Sequence, residues 1–157
     1  MAGTGSSSFE ASGSFLGYLY QCRYALFLVL QRLKTDPTTE VSIERFDDVA
    51  FEKGDDPHEL VQSKHHKGKP GSLTDASVDL WKTLRVWSEG VKSGTINPAS
   101  VLLTLITTAV ASPETAAALL RPNDGRDEKK ALDRLVATTQ TSESTTNARA
   151  YEAFLAL

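Results

Sequence analysis

Asp48 is followed, after thirteen intervening residues, by Gln62-Ser63-Lys64. On neighbouring antiparallel strands, an acid and an amide oxygen with the Ser63 carbonyl between them can hold a magnesium ion, because hard divalent cations take oxygen ligands. Lys64 would orient or activate a water and neutralise a phosphate. In outline this is a hydrolytic phosphodiester site. A cation acts as Lewis acid, an ammonium offsets charge on the phosphorane, and water attacks in line.

Charge along the chain agrees with that chemistry. Between Thr35 and Leu60 nine acids stand against two bases, Arg45 and Lys53, whereas Gln62 to Gly71 hold Lys64, His65, His66, Lys67 and Lys69 with no acid. Carboxylates suit a metal, and amines suit phosphate. The whole chain carries a formal charge of −3 over 157 residues, which argues against a protein that coats nucleic acid generally. One cysteine, Cys22, excludes an intrachain disulfide and a Cys-based zinc site, and points to a reducing compartment. The apolar stretch Phe15 to Leu33 is interrupted by Gln21, Arg23 and Gln31, so it reads as no membrane span. No base precedes Arg23, so no signal peptide is read either, and the expected location is the cytoplasm.

Positioning these residues requires a frame. Residues 1–14 are rich in Gly, Ser and Ala and read as a flexible leader, with one domain over 15–157. Phe15, Leu19, Cys22, Leu26, Val29, Leu30 and Leu33 recur at helical steps, predicting a largely buried helix capped by Ser14 and stopped at Asp36-Pro37. Period-two alternation predicts strands around Val41 to Glu44, Asp48 to Glu52 and Glu59 to His65. A tight or irregular hairpin at Arg45-Phe46-Asp47 and a turn at Gly54-Asp55-Asp56-Pro57 link them. Thr74 would cap a helix from about Asp75 to Lys92, with Trp81 and Trp87 in the core. Val101 to Thr108 fits a strand covered on both faces. Ser112-Pro113-Glu114 signals a helix start; further helices are expected over Arg126 to Thr139 and from Asn147. The apolar end, Phe154 to Leu157, suggests the amino-terminal part of a longer chain. The expected fold is α/β, in the order α-β-β-β-α-β followed by helices.

The site resembles the PD-(D/E)xK nuclease superfamily, which places an acid on one strand of a central sheet and an acid-x-lysine pair on the next. Mrr-like restriction nucleases commonly use Gln-x-Lys for the second element. Gly17-Tyr-Leu-Tyr-Gln21, Ser42-Ile-Glu-Arg-Phe-Asp-Asp-Val49, Leu60-Val-Gln-Ser-Lys-His-His66 and the stretch from Leu73 to Trp87 together resemble the double-stranded-DNA nuclease domain of bacterial antiphage effectors of the CBASS SAVED type. The resemblance runs from about Gly13 to Ala111. It implies a restriction-endonuclease-like mixed central sheet flanked by helices, and a metal-dependent DNA endonuclease of low sequence specificity acting in antiviral defence. Asp48 then matches the metal-binding acid, Gln62 the second metal-side position and Lys64 the catalytic lysine. The cofactor would be Mg2+ or Mn2+, and the partners double-stranded DNA, a sensor domain or protein, and further copies on activation.

Other residues join as candidates. Glu44 would share the face of Asp48 if the chain stays extended, as an extra metal ligand. Asp47 would replace Asp48 if a bulge shifts the register by one. His66 reads as a phosphate contact and His65 as surface or packing; Lys67 and Lys69 read as DNA-backbone contacts or as a solvated loop. Gln21 either hydrogen-bonds across the site or fixes helix against sheet as a buried amide, and Cys22 reads as core. The competing function is a catalytically inactive nuclease-like module for nucleic-acid binding or oligomerisation. A nuclease for RNA or single strands stays open, since metal and lysine do not read the sugar.

Overall fold

A run of Leu, Ala, Tyr and Phe with no glycine after Gly17 and no proline before Pro37 favours helix, and α1 spans Ser7–Arg32. The computed structural model describes residues 7–54, 56–65 and 70–157, with side chains from residue 15. The helix therefore begins before the expected Ser14 cap. Extending an existing helix costs far less than nucleating one, so Ser7 to Ser14 can join at its head. Residues 1–6 of the expected leader lie outside the described residues. Behind the helix, Asp36 accepts hydrogen bonds from Thr38 Oγ1 (2.6 Å) and Thr38 N (3.0 Å). Those two bonds, the hydroxyl first, hold the Asp36 carboxyl below its usual range.

Three short strands follow, β1 (Glu40–Ile43), β2 (Val49–Lys53) and β3 (Asp56–Lys64), and later β4 (Leu102–Thr107). They form one open mixed sheet in the order β1-β2-β3-β4, so β1 and β4 are its edges. The class is thus α/β. β1 and β2 pair antiparallel, with Ile43 opposite Val49; β2 and β3 pair antiparallel, with Val49 opposite Val61. The register shifts at Phe51/Glu52, where Glu59 faces Phe51 but Pro57 faces Glu52. A proline, having no N–H to give a ladder, belongs at such a break. The β2–β3 turn is tighter than expected: Gly54 takes φ 68°, and β3 already begins at Asp56. β4 is not covered on both faces as expected, for Leu102 is 59% exposed and the rest of the strand half-exposed. An edge strand lacks a neighbour on one side, so its apolar run stays partly open.

The chain divides into two compact units, one of Met1–His65 with Val101–Ile106, the other of His66–Ser100 with Thr107–Leu157. In the first, Ala25 of α1 packs with Val49, Phe51 and Val61, and Leu28, Val29, Ile43 and Ile106 close around them. Period two places these β residues on one sheet face. α1 is not largely buried, however. Phe15, Leu19, Leu26, Leu30 and Leu33 are exposed, because the sheet occupies only one side of the helix.

The second unit is helical: α2 (Val78–Ser93), α3 (Ala116–Leu119), α4 (Glu128–Thr141) and α5 (Ala148–Leu155). Its caps differ from those expected. Ser77 rather than Thr74 precedes α2, and Thr115 rather than Ser112 caps α3, accepting from Ala118 N. Glu114 with φ 66° breaks the helical path after Pro113. Trp81 is fully buried, edge-on to Tyr151 (4.5 Å) and Phe154 (5.4 Å) of α5, whereas Trp87 is only half-buried. Trp81 Nε1 donates to the Asp75 carbonyl at 2.6 Å; the Asp75 carboxylate in turn receives Ala116 N (2.6 Å) and Arg134 Nε (2.8 Å). Asn147, 1% exposed, donates to the Ala76 carbonyl at 3.0 Å. Trp81→Phe keeps an aromatic ring there but leaves the half-buried Asp75 carbonyl without its donor. It should cost about 1–2 kcal/mol, read as a lower urea midpoint with an unchanged slope; no change would show that the N–H bond contributes nothing.

Candidate active site

Gln62 and Lys64 stand at the end of β3, just past its pairing with β2, and Asp47 and Asp48 immediately precede β2. An unbroken ladder would set Asp48 opposite Gln62, continuing the Val49–Val61 pairing. The chain departs from that regularity over residues 44–48. Glu44 adopts φ 60°, and its N–H reaches the Asp48 carbonyl at 3.3 Å. The link is therefore an irregular hairpin that leaves both aspartates close to β3.

The aspartates divide the strand between them. Asp47 Oδ1 accepts from Gln62 Nε2 and from the Asp48 backbone N–H (2.9 Å). Asp48 Oδ2 accepts from the Ser63 N–H at 2.7 Å and the Ser63 hydroxyl at 3.2 Å. Lys64 Nζ donates to Gln62 Oε1 at 2.9 Å. Asp47, Gln62 and Lys64 thus form one hydrogen-bonded chain, while Asp48 is tethered one residue along. Gln62 is 7% exposed, so its amide is oriented by these two partners and not by solvent. The alternation expected for β3, with Gln62 and Lys64 on one face and Ser63 on the other, accounts for this division. The Ser63 hydroxyl and amide are the site groups that pattern reading had missed. A serine between two candidate residues carries no signal of its own until the acid opposite it is located.

Other candidates sit differently. The exposed Glu44 makes no hydrogen bond to Asp47, Asp48 or Gln62 through its carboxylate among the described residues. Its charge acts on Tyr18 of α1, whose phenol is raised first by the hydrogen bond with the Cys22 thiol and less strongly by Glu44. Gln21 keeps its Oε1 buried with no hydrogen-bond partner among the described residues. His65 is exposed and stacks on Tyr20, ring centroids 4.4 Å apart, which matches the surface role expected of it. His66, Lys67 and Lys69 lie outside the described residues. Two buried acids serve the sheet: Glu52 takes Ser42 and Arg45, and Glu59 takes Arg32 and Thr104.

Among the described residues no three His, Cys, Asp or Glu side chains cluster as a metal site. The donor set that is present consists of the hard oxygens of two carboxylates, while the Gln62 amide oxygen, the second metal-side position expected from the sequence, is turned to Lys64. Oδ1 of Asp48 takes no protein hydrogen bond among the described residues. Such a set fits a Mg2+ ion, which retains several waters and uses one or two carboxylates. No family model, curated protein or solved structure gives a significant match to this chain.

Proposed function

We propose that the chain is a metal-dependent endonuclease domain hydrolysing phosphodiester bonds of double-stranded DNA, with a restriction-endonuclease-like arrangement of the PD-(D/E)xK kind and a role in antiphage defence. The observation that carries this reading is the bonded chain from Asp47 through Gln62 to Lys64 at the end of β3, with Asp48 held beside it by Ser63. An acid pair before one strand and an amide-x-lysine on its antiparallel neighbour are brought within hydrogen-bonding reach despite the irregular hairpin.

Each residue then has a stated part. Asp47 and Asp48 would hold the divalent ion, which would supply Lewis-acid polarisation of a phosphate oxygen and a more acidic bound water, while Gln62 orients Asp47 through its Nε2. Lys64 Nζ offsets charge gathering on the phosphate as the fifth bond forms, and orients the attacking water. Gln62 aims Lys64 through Oε1 and ties that ammonium to the acidic side. Ser63 fixes the Asp48 carboxylate with two donors, so the acid need not reorganise during the reaction.

The test is supercoiled plasmid with Mg2+, followed for nicking and linearisation, with EDTA as the control. Single-stranded DNA and RNA are run alongside. Metal-dependent cleavage of the duplex supports the reading; binding of DNA without cleavage at any protein concentration replaces it with the inactive module. Gln62→Ala removes the amide that orients the metal-side Asp47 and the aim of Lys64 together. It should raise the Mg2+ concentration for half-maximal nicking by about 10–100-fold, the usual cost of losing a supporting group at a metal. An unchanged Mg2+ dependence would remove Gln62 from the site.

A further inference from the structure

α1 has two apolar faces where a helix lying on a sheet needs one. On the sheet side, Ala25 is 2% exposed, Leu28 and Val29 join the core, and Arg32 lies over the Phe51 ring at 3.5 Å. At 100° per residue Leu16, Arg23 and Leu30 lie opposite that side, and Leu19, Leu26 and Leu33, the last just past the helix end, continue the stripe along its flank, every one exposed. These six follow one another at steps of three, four, three, four and three. That is the seven-residue repeat which keeps a helical seam against a partner helix. A helix that met only the sheet would carry polar residues there.

The seam is also large enough to matter. With Phe15 (61% exposed) and Phe27 (51%) flanking it, its open apolar side chains present on the order of 600 Å², and the stems of Arg23 and Lys34 add to this, against about 800 Å² per partner in a stable interface. Isolated apolar residues on a surface are ordinary, but a continuous stripe along five turns marks an interaction surface.

We propose that this face pairs with the same face of a second copy of the chain, α1 against α1, antiparallel about a two-fold axis between Tyr24 and Ala25. The stripe is its own complement in that arrangement. Leu16 meets Leu33 of the partner subunit, Leu19 meets Leu30 of the partner subunit, and Arg23 meets Leu26 of the partner subunit. A parallel pair would set Arg23 against the partner's Arg23 within an apolar seam. From residue 15 onward α1 holds no acid to compensate two such guanidinium groups. Two-fold symmetry closes the contact at a dimer. The proposal does not depend on the nuclease reading.

Sedimentation of the chain, in EDTA and without DNA, from micromolar to several hundred micromolar, tests it. A reversible monomer–dimer equilibrium is expected. The double variant Leu19→Glu/Leu30→Glu, altering two side chains already in water, should keep the far-ultraviolet spectrum and melting of the parent monomer while weakening the dimer about 100-fold or more, since it sets glutamate against glutamate within the interface. In a Cys22→Ser background, Leu16→Cys chains mixed with Leu33→Cys chains should oxidise to the mixed disulfide in preference to either homodimer. A parent that is monomeric throughout, a dimer unaffected by the two glutamates, or Leu16→Cys chains that cross-link to themselves would each overturn the proposal.

Discussion

Lys64→Ala is expected to lower metal-dependent plasmid nicking by about 10²–10³-fold, the usual cost of removing a donor that faces developing charge. Its ammonium is half-buried at the end of β3, held by a single bond of 2.9 Å to Gln62 Oε1. Among the described residues no acid takes it as an ion-pair partner, which leaves the charge to meet a phosphate. The folded state should barely notice the change, for Gln62 remains held by Asp47. Duplex affinity should fall only slightly, because one phosphate contact among several is lost. Measuring nicking and binding on the same preparation separates the possibilities. If both fall together, Lys64 is a binding residue; if neither moves, the chemistry lies elsewhere.

The second large effect concerns Arg32. Its guanidinium pairs with the Glu59 carboxylate, whose side chain is 9% exposed, and covers the Phe51 ring. Thr104 of β4 donates to the other Glu59 oxygen at 2.7 Å, so one acid ties α1, β3 and β4 together. Arg32→Ala leaves that carboxylate in the sheet without its cation. Breaking a buried pair from one side costs about 3–5 kcal/mol, and the expected loss lies near the lower end because Arg32 itself is 28% exposed. Glu59→Gln added to Arg32→Ala removes the stranded charge while keeping an acceptor for Thr104, and should recover a large part of the loss. Urea unfolding of the parent, both single variants and the double variant reads this as a coupling energy. Strict additivity of the two substitutions would show that the pair contributes nothing beyond its members.

Both effects rest on residues that were legible to different degrees. Lys64 and Gln62 could be picked out because a strand imposes period two, and residues two apart on it share a face whatever the rest of the chain does. The helix over Phe15 to Leu33, the β1 and β2 strands and the helical tail were legible for the same kind of reason, since local periodicity and breakers such as Asp36-Pro37 act over a few residues. Helix starts were less so. Thr74, Ser112 and Thr115 all have cap chemistry, and the choice fell to Ser77 and Thr115 once Asp75 was engaged by Trp81, Ala116 and Arg134.

By itself the sequence determined the α/β class, the antiparallel order of the first three strands and the placing of Gln62 and Lys64 on one face. Tertiary structure decided which aspartate meets Gln62. The hairpin before β2 is irregular, with Glu44 at positive φ, and an irregular link follows no period from which a side chain's direction could be read. It also decided what Glu59 and Arg32 do, because an ion pair between residues 27 apart leaves no trace in either neighbourhood. Most of all it decided the fate of α1. Apolar residues at helical spacing say that faces will be covered, not by what, and only the one-sided sheet separates the Ala25 face that is buried from the Leu26 face that is bare.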